Sequence, residues 1–360
     1  MLKILMIGPG RKSQGGMATV INNYYDAGLD KKVNIKFIST MEEGSKLKKI
    51  FVLLKALLIY ILTFNFDILH VHMSSRTSFY RKSIFINISK FFGKKVIIHM
   101  HGSEFKEFYD NECNESKQKY IRHIFSKVDK VIALSEEWAD YLKKICDEEK
   151  IQVIYNSVTV PPKELSKNYQ KNIILFLGRL GKRKGIYDLI DIIPDLIKED
   201  KKIIFNILGD GEIDDVRNLC IKRGLSNNVK VFGWLIGEEK EKLMRESTIF
   251  TLPSYNEGMP MSILEGMSYG LPIVSTNVGG ISKQVINYEN GFLISAGDKQ
   301  MLKDSLIKLI KSESLKKRMG DKSFEIVNQK FNINNVMTEL LELYENIDRK
   351  YEGKSTMVYK

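Results

Sequence analysis

Short apolar runs recur along the chain, each closed by a glycine or polar turn and followed by a longer segment whose apolar residues fall three and four positions apart. The runs lie near Leu2, Val33, Asp67, Lys95, Lys130 and Gln152, and again near Ile173, Ile203, Val229, Ile249, Pro272 and Gly291. This alternation predicts an α/β architecture, two similar halves each built on a doubly wound parallel sheet. Between them, residues 159–171 carry Pro161, Pro162 and polar residues, the composition of a linker. The chain therefore reads as domains 1–165 and 166–330. Helices follow from about Lys299 onward, including Asn334 to Ile347, and Arg349 to Lys360 reads as a frayed tail. The sequence holds no internal repeat and no low-complexity tract.

The longest apolar stretch is Ile50 to Phe64, broken by Lys55 and preceded by Lys46, Lys48 and Lys49. It falls short of the roughly 20 residues that span a bilayer, so it predicts a buried or interfacial helix. A core helix with a solvated start is the ordinary reading, and a helix lying on an anionic membrane surface is the alternative.

Composition adds bounds rather than a function. At 360 residues and 43% hydrophobic content the chain is long enough for two cores. Cys113, Cys146 and Cys220 are scattered, which argues against a disulfide framework and suits a reducing cytoplasm. The amino terminus reads as a strand rather than a signal peptide. Of the net charge of +12, residues 1–165 supply +8, from 26 Lys and Arg against 18 Asp and Glu. No zinc-finger spacing, RNP-like motif or basic tail points to nucleic acid. Anionic phospholipid or a lipid diphosphate suits that charge, with Arg76, Arg81, Lys82, Lys90, Lys94 and Lys95 as the expected contact, or as plain solvated surface.

Chemistry concentrates at the turns. Glu257 sits in the loop after the apolar run Ile249 to Leu252, and Glu265 lies within the helix that Pro260 opens. Loops at strand carboxyl ends bind ligands in open α/β sheets, and free amides at a helix start suit phosphate or sugar oxygens. The helix alone rises roughly 7.5 Å between Pro260 and Glu265. That spacing fits poorly the 5 to 5.5 Å of a retaining glycosidase pair and leaves an inverting pair open. For an isolated pair, a helix-capping glutamate and a solvated one are the ordinary reading. After Ile173 to Leu177 comes Gly178-Arg179-Leu180-Gly181-Lys182-Arg183-Lys184-Gly185, a cationic turn suited to a diphosphate, or a solvated basic turn. After Leu2 to Ile7 comes Gly8-Pro9-Gly10-Arg11-Lys12-Ser13-Gln14-Gly15-Gly16. Ser13 stands where a dinucleotide fingerprint needs its third glycine, so a nicotinamide site is excluded. Four of the five histidines form the pairs His70/His72 and His99/His101, each on one face of a strand. A zinc hydrolase, with Glu104 or Asp67 as a further ligand, is the sharp reading of these pairs, and strand-end structural histidines the simpler one.

The run from Asn256 through Gly270-Leu271-Pro272 to Val278-Gly279-Gly280 resembles the donor signature of retaining glycosyltransferases of family four (group 1), where seven residues separate two glutamates. The resemblance implies the GT-B fold, two Rossmann-like domains facing a cleft. It implies an acceptor-side first domain, a second domain that binds the nucleotide sugar, and a last helix, about 331–350, packing back on the first. It implies that Glu257 contacts donor-sugar hydroxyls and Glu265 the ribose, while backbone around Gly258, Met259, Met261 and Ser262 faces sugar or diphosphate. Arg179 and Lys184 have the family's five-residue spacing and would hold the diphosphate. Gly15 and Gly16 match its amino-terminal glycine loop, and His101 its histidine near the reacting centre. Val231-Phe232-Gly233-Trp234 matches a segment beside the base. Asn156 and Gly209-Asp210-Gly211-Glu212 are further, weaker matches.

The implied reaction moves a sugar from a nucleotide diphosphate, a UDP-sugar first and a GDP-sugar second, to an acceptor hydroxyl without a metal or other cofactor. The implied acceptor is a lipid-linked glycan in bacterial surface polysaccharide assembly, at the inner face of the plasma membrane. The rival readings are a sugar-nucleotide epimerase of the same fold, a binding protein without catalysis, and a nucleic-acid binder.

Overall fold

The computed structural model describes residues 2–162 and 167–355. Positions 163–166 of the expected linker and 356–360 of the expected tail lie outside the described residues. The chain divides into two compact units, one of residues 1–157 and 333–360, the other of 158–332.

In the first unit, six parallel strands run β1 (Lys3–Pro9), β2 (Asn34–Met41), β3 (Ile68–Met73), β4 (Lys95–Met100), β5 (Lys130–Ala133) and β6 (Ile151–Val153). Their spatial order is β2-β1-β3-β4-β5-β6. β1, β3 and β4 are buried almost throughout, as strands covered on both faces must be. The chain order reverses between β1 and β3, which makes the carboxyl ends of these strands the unit's topological switch point. The loop after β1 and the residues after β4 therefore open on one edge.

The second unit repeats the plan with β7 (Ile173–Leu177), β8 (Ile204–Leu208), β9 (Val229–Val231), β10 (Ile249–Leu252), β11 (Ile273–Thr276) and β12 (Gly291–Ile294). The order β12-β11-β10-β7-β8-β9 reverses between β7 and β10. The helix Ile186–Glu199 buries Ile186, Leu189, Ile190, Ile193 and Leu196, an i, i+3, i+4, i+7 stripe that follows from its sequence.

Two expectations need correction. Residues 349–355 of the expected frayed tail are helical, the end of the helix Ile333–Ser355. The apolar helix spans Lys46–Leu62, and it is not a core helix: Val52, Ala56 and Tyr60 face inward, but Leu47, Phe51, Leu54, Leu58, Ile61 and Leu62 lie exposed. Among the described residues no helix is long and apolar enough to cross a membrane.

Candidate functional site

The switch point of the second unit gathers the residues singled out in the sequence. The turn after β7 ends in a short helical turn, Lys182–Lys184, and Gly185, whose φ of 70° and close approach to the Pro253 carbonyl leave no room for a Cβ. That close approach brings Lys184 to the loop after β10, where its ammonium pairs with Glu257 Oε1. The same oxygen accepts from the Ser254 hydroxyl at 2.8 Å. Both side chains are nearly out of water, 13% exposed for Lys184 and 6% for Glu257, so the attraction acts at a low local dielectric. Arg183 Nη1 donates to the Asn256 carbonyl at 3.1 Å, which ties the two loops a second time.

Gly279 closes the loop from below. Its φ is 53° and a Cβ there would stand 1.9 Å from the Glu257 carbonyl. Gly280 N–H donates to the Gly258 carbonyl at 2.6 Å. The helix Met261–Ser268 begins directly after Pro260, so the amides of Met261 and Ser262 belong to its unsatisfied first turn. Met259 and Met261 are themselves buried, and what they can offer a ligand is backbone.

Arg179 stands apart from the buried pair. It is 67% exposed and its guanidinium bonds Asp210 Oδ2 at 3.0 Å. Asp210 is placed by the close packing of Gly209 and Gly211 against the backbone of Gly178 and Leu180. Glu265 pairs with Lys240 Nζ at 2.7 Å, so the two glutamates serve different cations. Sequence reasoning missed Lys240, which lies on the helix Gly237–Glu246 and which only the fold brings to Glu265; Ser254 was visible as a turn residue but not as a partner of Glu257.

In the first unit, Gly15 caps the helix Gly16–Asp26 with φ 123°, and a Cβ there would meet nothing within 4 Å. His101 follows β4. Its Nε2 lies 2.8 Å from His72 Nδ1, and the His99 ring stacks on it at 4.2 Å between centroids. His70 meets His99 at 3.2 Å and the Tyr344 hydroxyl at 2.6 Å. Burial pushes His101 and His70 down to about 3, and holds His72 and His99 well below the usual imidazole range. The neighbouring histidines and Lys82 act in the same direction on His101 and His72.

Ring nitrogens of His70, His72 and His99 lie close enough to suggest a metal cluster. Their planes are within 10° to 27° of parallel, however, and stacked rings aim their lone pairs along parallel planes rather than at a shared point. Neither imagined carboxylate joins them: Glu104 pairs with Arg76, and Asp67 accepts from Lys3 N–H at 2.8 Å. The expected basic contact patch is likewise dispersed. Lys82 is buried, Lys90 and Lys95 pair with Asp129, Lys94 donates to the Phe66 carbonyl, and Arg76 is held by Glu104 and Glu112.

Two parallel-sheet units, one carrying a cationic turn and a buried glutamate at its switch point, define a doubly wound α/β protein with a ligand-binding type of edge. Residues 22–160 match the family model "Glycosyltransferase Family 4" and residues 160–325 match "Glycosyl transferases group 1". The chain belongs to this family of glycosyltransferases and has its GT-B fold. It is 30% identical to an uncharacterized glycosyltransferase of Methanocaldococcus jannaschii over 70% of this chain and 68% of that one. It is 25% identical to the capsular polysaccharide biosynthesis glycosyltransferase CapM of Staphylococcus aureus, over 66% of this chain and 61% of that one. Among solved structures, Anabaena HepE in complex with UDP-glucose superposes with a TM-score of 0.75 at 18% identity, covering 96% of this chain and all of HepE.

Proposed function

We propose that this glycosyltransferase is a retaining enzyme that moves a sugar from a UDP-sugar, with a GDP-sugar as second choice, to a hydroxyl of a lipid-linked glycan in surface-polysaccharide assembly. The observation that carries the reading is the Lys184–Glu257 pair at the β7/β10 switch point, with Arg179 exposed on the same turn after β7. A diphosphate at this edge meets one cation held by a carboxylate and one reaching from solvent, with the first-turn amides of Met261 and Ser262 aimed at anionic oxygens. Support for the donor comes from relatives of the same fold, whose complexes hold UDP and UDP-glucose. CapM supports the pathway class.

In the reaction, the bond between the sugar's anomeric carbon and the diphosphate oxygen breaks while the acceptor oxygen bonds that carbon on the same face. The acceptor proton passes to the departing phosphate oxygen. Arg179 and Lys184 stabilise the charge that develops on the diphosphate, which is electrostatic catalysis that needs no metal when two cations supply the charge. Within the second unit, Glu257 holds the sugar and Glu265 the ribose. His101 is uncharged, so it acts as a hydrogen-bonding group and not as a cation.

Calorimetric titration with UDP, GDP, ADP and their sugar conjugates tests the donor site. Tight binding of one diphosphate, weakened by Lys184→Ala, is the expected result, and no binding of any of them overturns it. Conversion of a bound donor to its epimer without an acceptor would assign the epimerase reaction instead.

A further inference from the structure

We infer that the helix Lys46–Leu62, continued by Phe91 and Phe92, is a docking face for an anionic lipid bilayer. Leu47, Phe51, Leu54, Leu58 and Ile61 follow one another at alternating steps of four and three, so they form a single stripe along the helix. Each is more than half exposed. Val52, Ala56 and Tyr60 on the opposite side anchor the helix to the unit's core, which fixes the stripe facing outward. At the carboxyl end the apolar surface does not stop: the Phe64 ring packs 5.0 Å from Phe92, and Phe92 packs 5.1 Å from Phe91, which is 84% exposed.

Charge selects the occupant. The helix carries Lys46, Lys48, Lys49 and Lys55 and not one acidic residue. Lys48 lies 3.6 Å from Glu42 in the preceding turn, and Lys94 stands over the Phe64 ring at 5.4 Å. Aliphatic and aromatic side chains fringed by lysines match the acyl boundary and headgroups of an anionic leaflet, with the helix in the plane of the interface. A second copy of the chain fits worse. Pairing this face with itself would set lysines against lysines, and a strip about 25 Å long and about 10 Å wide offers roughly 250 Å², well under the ~800 Å² per partner of a stable interface.

The inference extends the lipid-linked acceptor reading above and is tested apart from it. The full chain is sedimented with vesicles of phosphatidylcholine alone and of phosphatidylcholine with phosphatidylglycerol, at low and high salt. Wild type is expected to pellet with the anionic vesicles, and to remain in the supernatant with the neutral ones. Phe51→Gln with Leu58→Gln should abolish pelleting, and Lys49→Gln with Lys55→Gln should weaken partition about fivefold for each charge removed. All four positions are on the surface, and unchanged UDP titration in each variant shows that the fold is intact. Absence of wild type from the anionic pellet, or undiminished pelleting of the Phe51/Leu58 variant, overturns the proposal. So does a concentration-dependent dimer that this variant dissolves while vesicle binding is absent. Vesicle binding with no binding of any diphosphate would leave the docking face standing and remove the donor-site reading.

Discussion

The Lys184 ammonium and the Glu257 carboxylate, 73 residues apart in the chain, form a nearly buried ion pair that joins the loops after β7 and β10. Removing one partner of such a pair strands the other charge, at a cost of about 3 to 5 kcal/mol. Lys184→Ala should therefore lose both stability and about 10² to 10³ in turnover. The double variant Lys184→Met with Glu257→Leu separates the two effects. Chemical denaturation should show most of the stability restored, while transfer stays at the level of the single variant.

Arg179 should behave in the opposite way. It is two-thirds exposed and its contact with Asp210 is a surface pair, so Arg179→Ala should change unfolding free energy by less than about 1 kcal/mol. Loss of a charged hydrogen bond to the diphosphate should weaken donor binding by about 10- to 100-fold, from the 1.5 to 3 kcal/mol such bonds contribute. Calorimetry together with a denaturation curve checks both halves.

Gly279→Ala should inactivate the enzyme without touching a charged group. The added Cβ collides with the Glu257 carbonyl, and the residue's φ of 53° disfavours any side chain. The expected result is a loss of more than 1 kcal/mol in stability and displacement of the Glu257 loop, read as weakened UDP binding with Lys184 intact.

Acid should destabilise the first unit. His70 and His101 titrate near 3 when folded against about 6.5 when unfolded, and His72 and His99 are shifted in the same direction. Below pH 6.5 the unfolded chain takes up protons that the folded chain refuses, so stability is full above that pH and falls as pH drops toward 3. Each histidine contributes up to about 1.4 kcal/mol per pH unit within that window. Denaturation curves between pH 7 and pH 5 should show the loss, and His70→Phe should reduce its slope by about one proton.

A readout of His101 is available through its neighbour. His72 Nδ1 holds His101 Nε2 at 2.8 Å, which orients the ring. His72→Phe keeps the stacked volume and removes the bond. A lower kcat with little change in UDP affinity is expected, whereas loss of both would mean that the fold has shifted.

The central strands were legible because buried parallel strands read as continuous apolar runs, and each glycine turn after them carries its own local conformational demand. The Gly178–Gly185 turn and the Asn256–Gly266 segment marked the switch-point edge of the second unit for the same reason. The helix at Lys46–Leu62 misled: its run from Ile50 onward, apolar but for Lys55, looks like core, and only the packing of Val52, Ala56 and Tyr60 shows which side faces in. The basic residues near Arg76 and Lys90 misled in the other direction, since a sequence displays charges but not the acids that meet them.

What the sequence determined by itself is therefore local and periodic: strand positions, the turns at their carboxyl ends and the cations and glutamates those turns carry. What tertiary structure alone decided is pairing. That Glu257 answers Lys184 and Glu265 answers Lys240, that four histidines on β3, on β4 and just after β4 stack into one uncharged ladder, and that a lysine-fringed apolar stripe is left uncovered, all depend on which strands become neighbours. Neighbourhood across a parallel sheet is set by crossover connections tens of residues long, and no spacing along the chain encodes it.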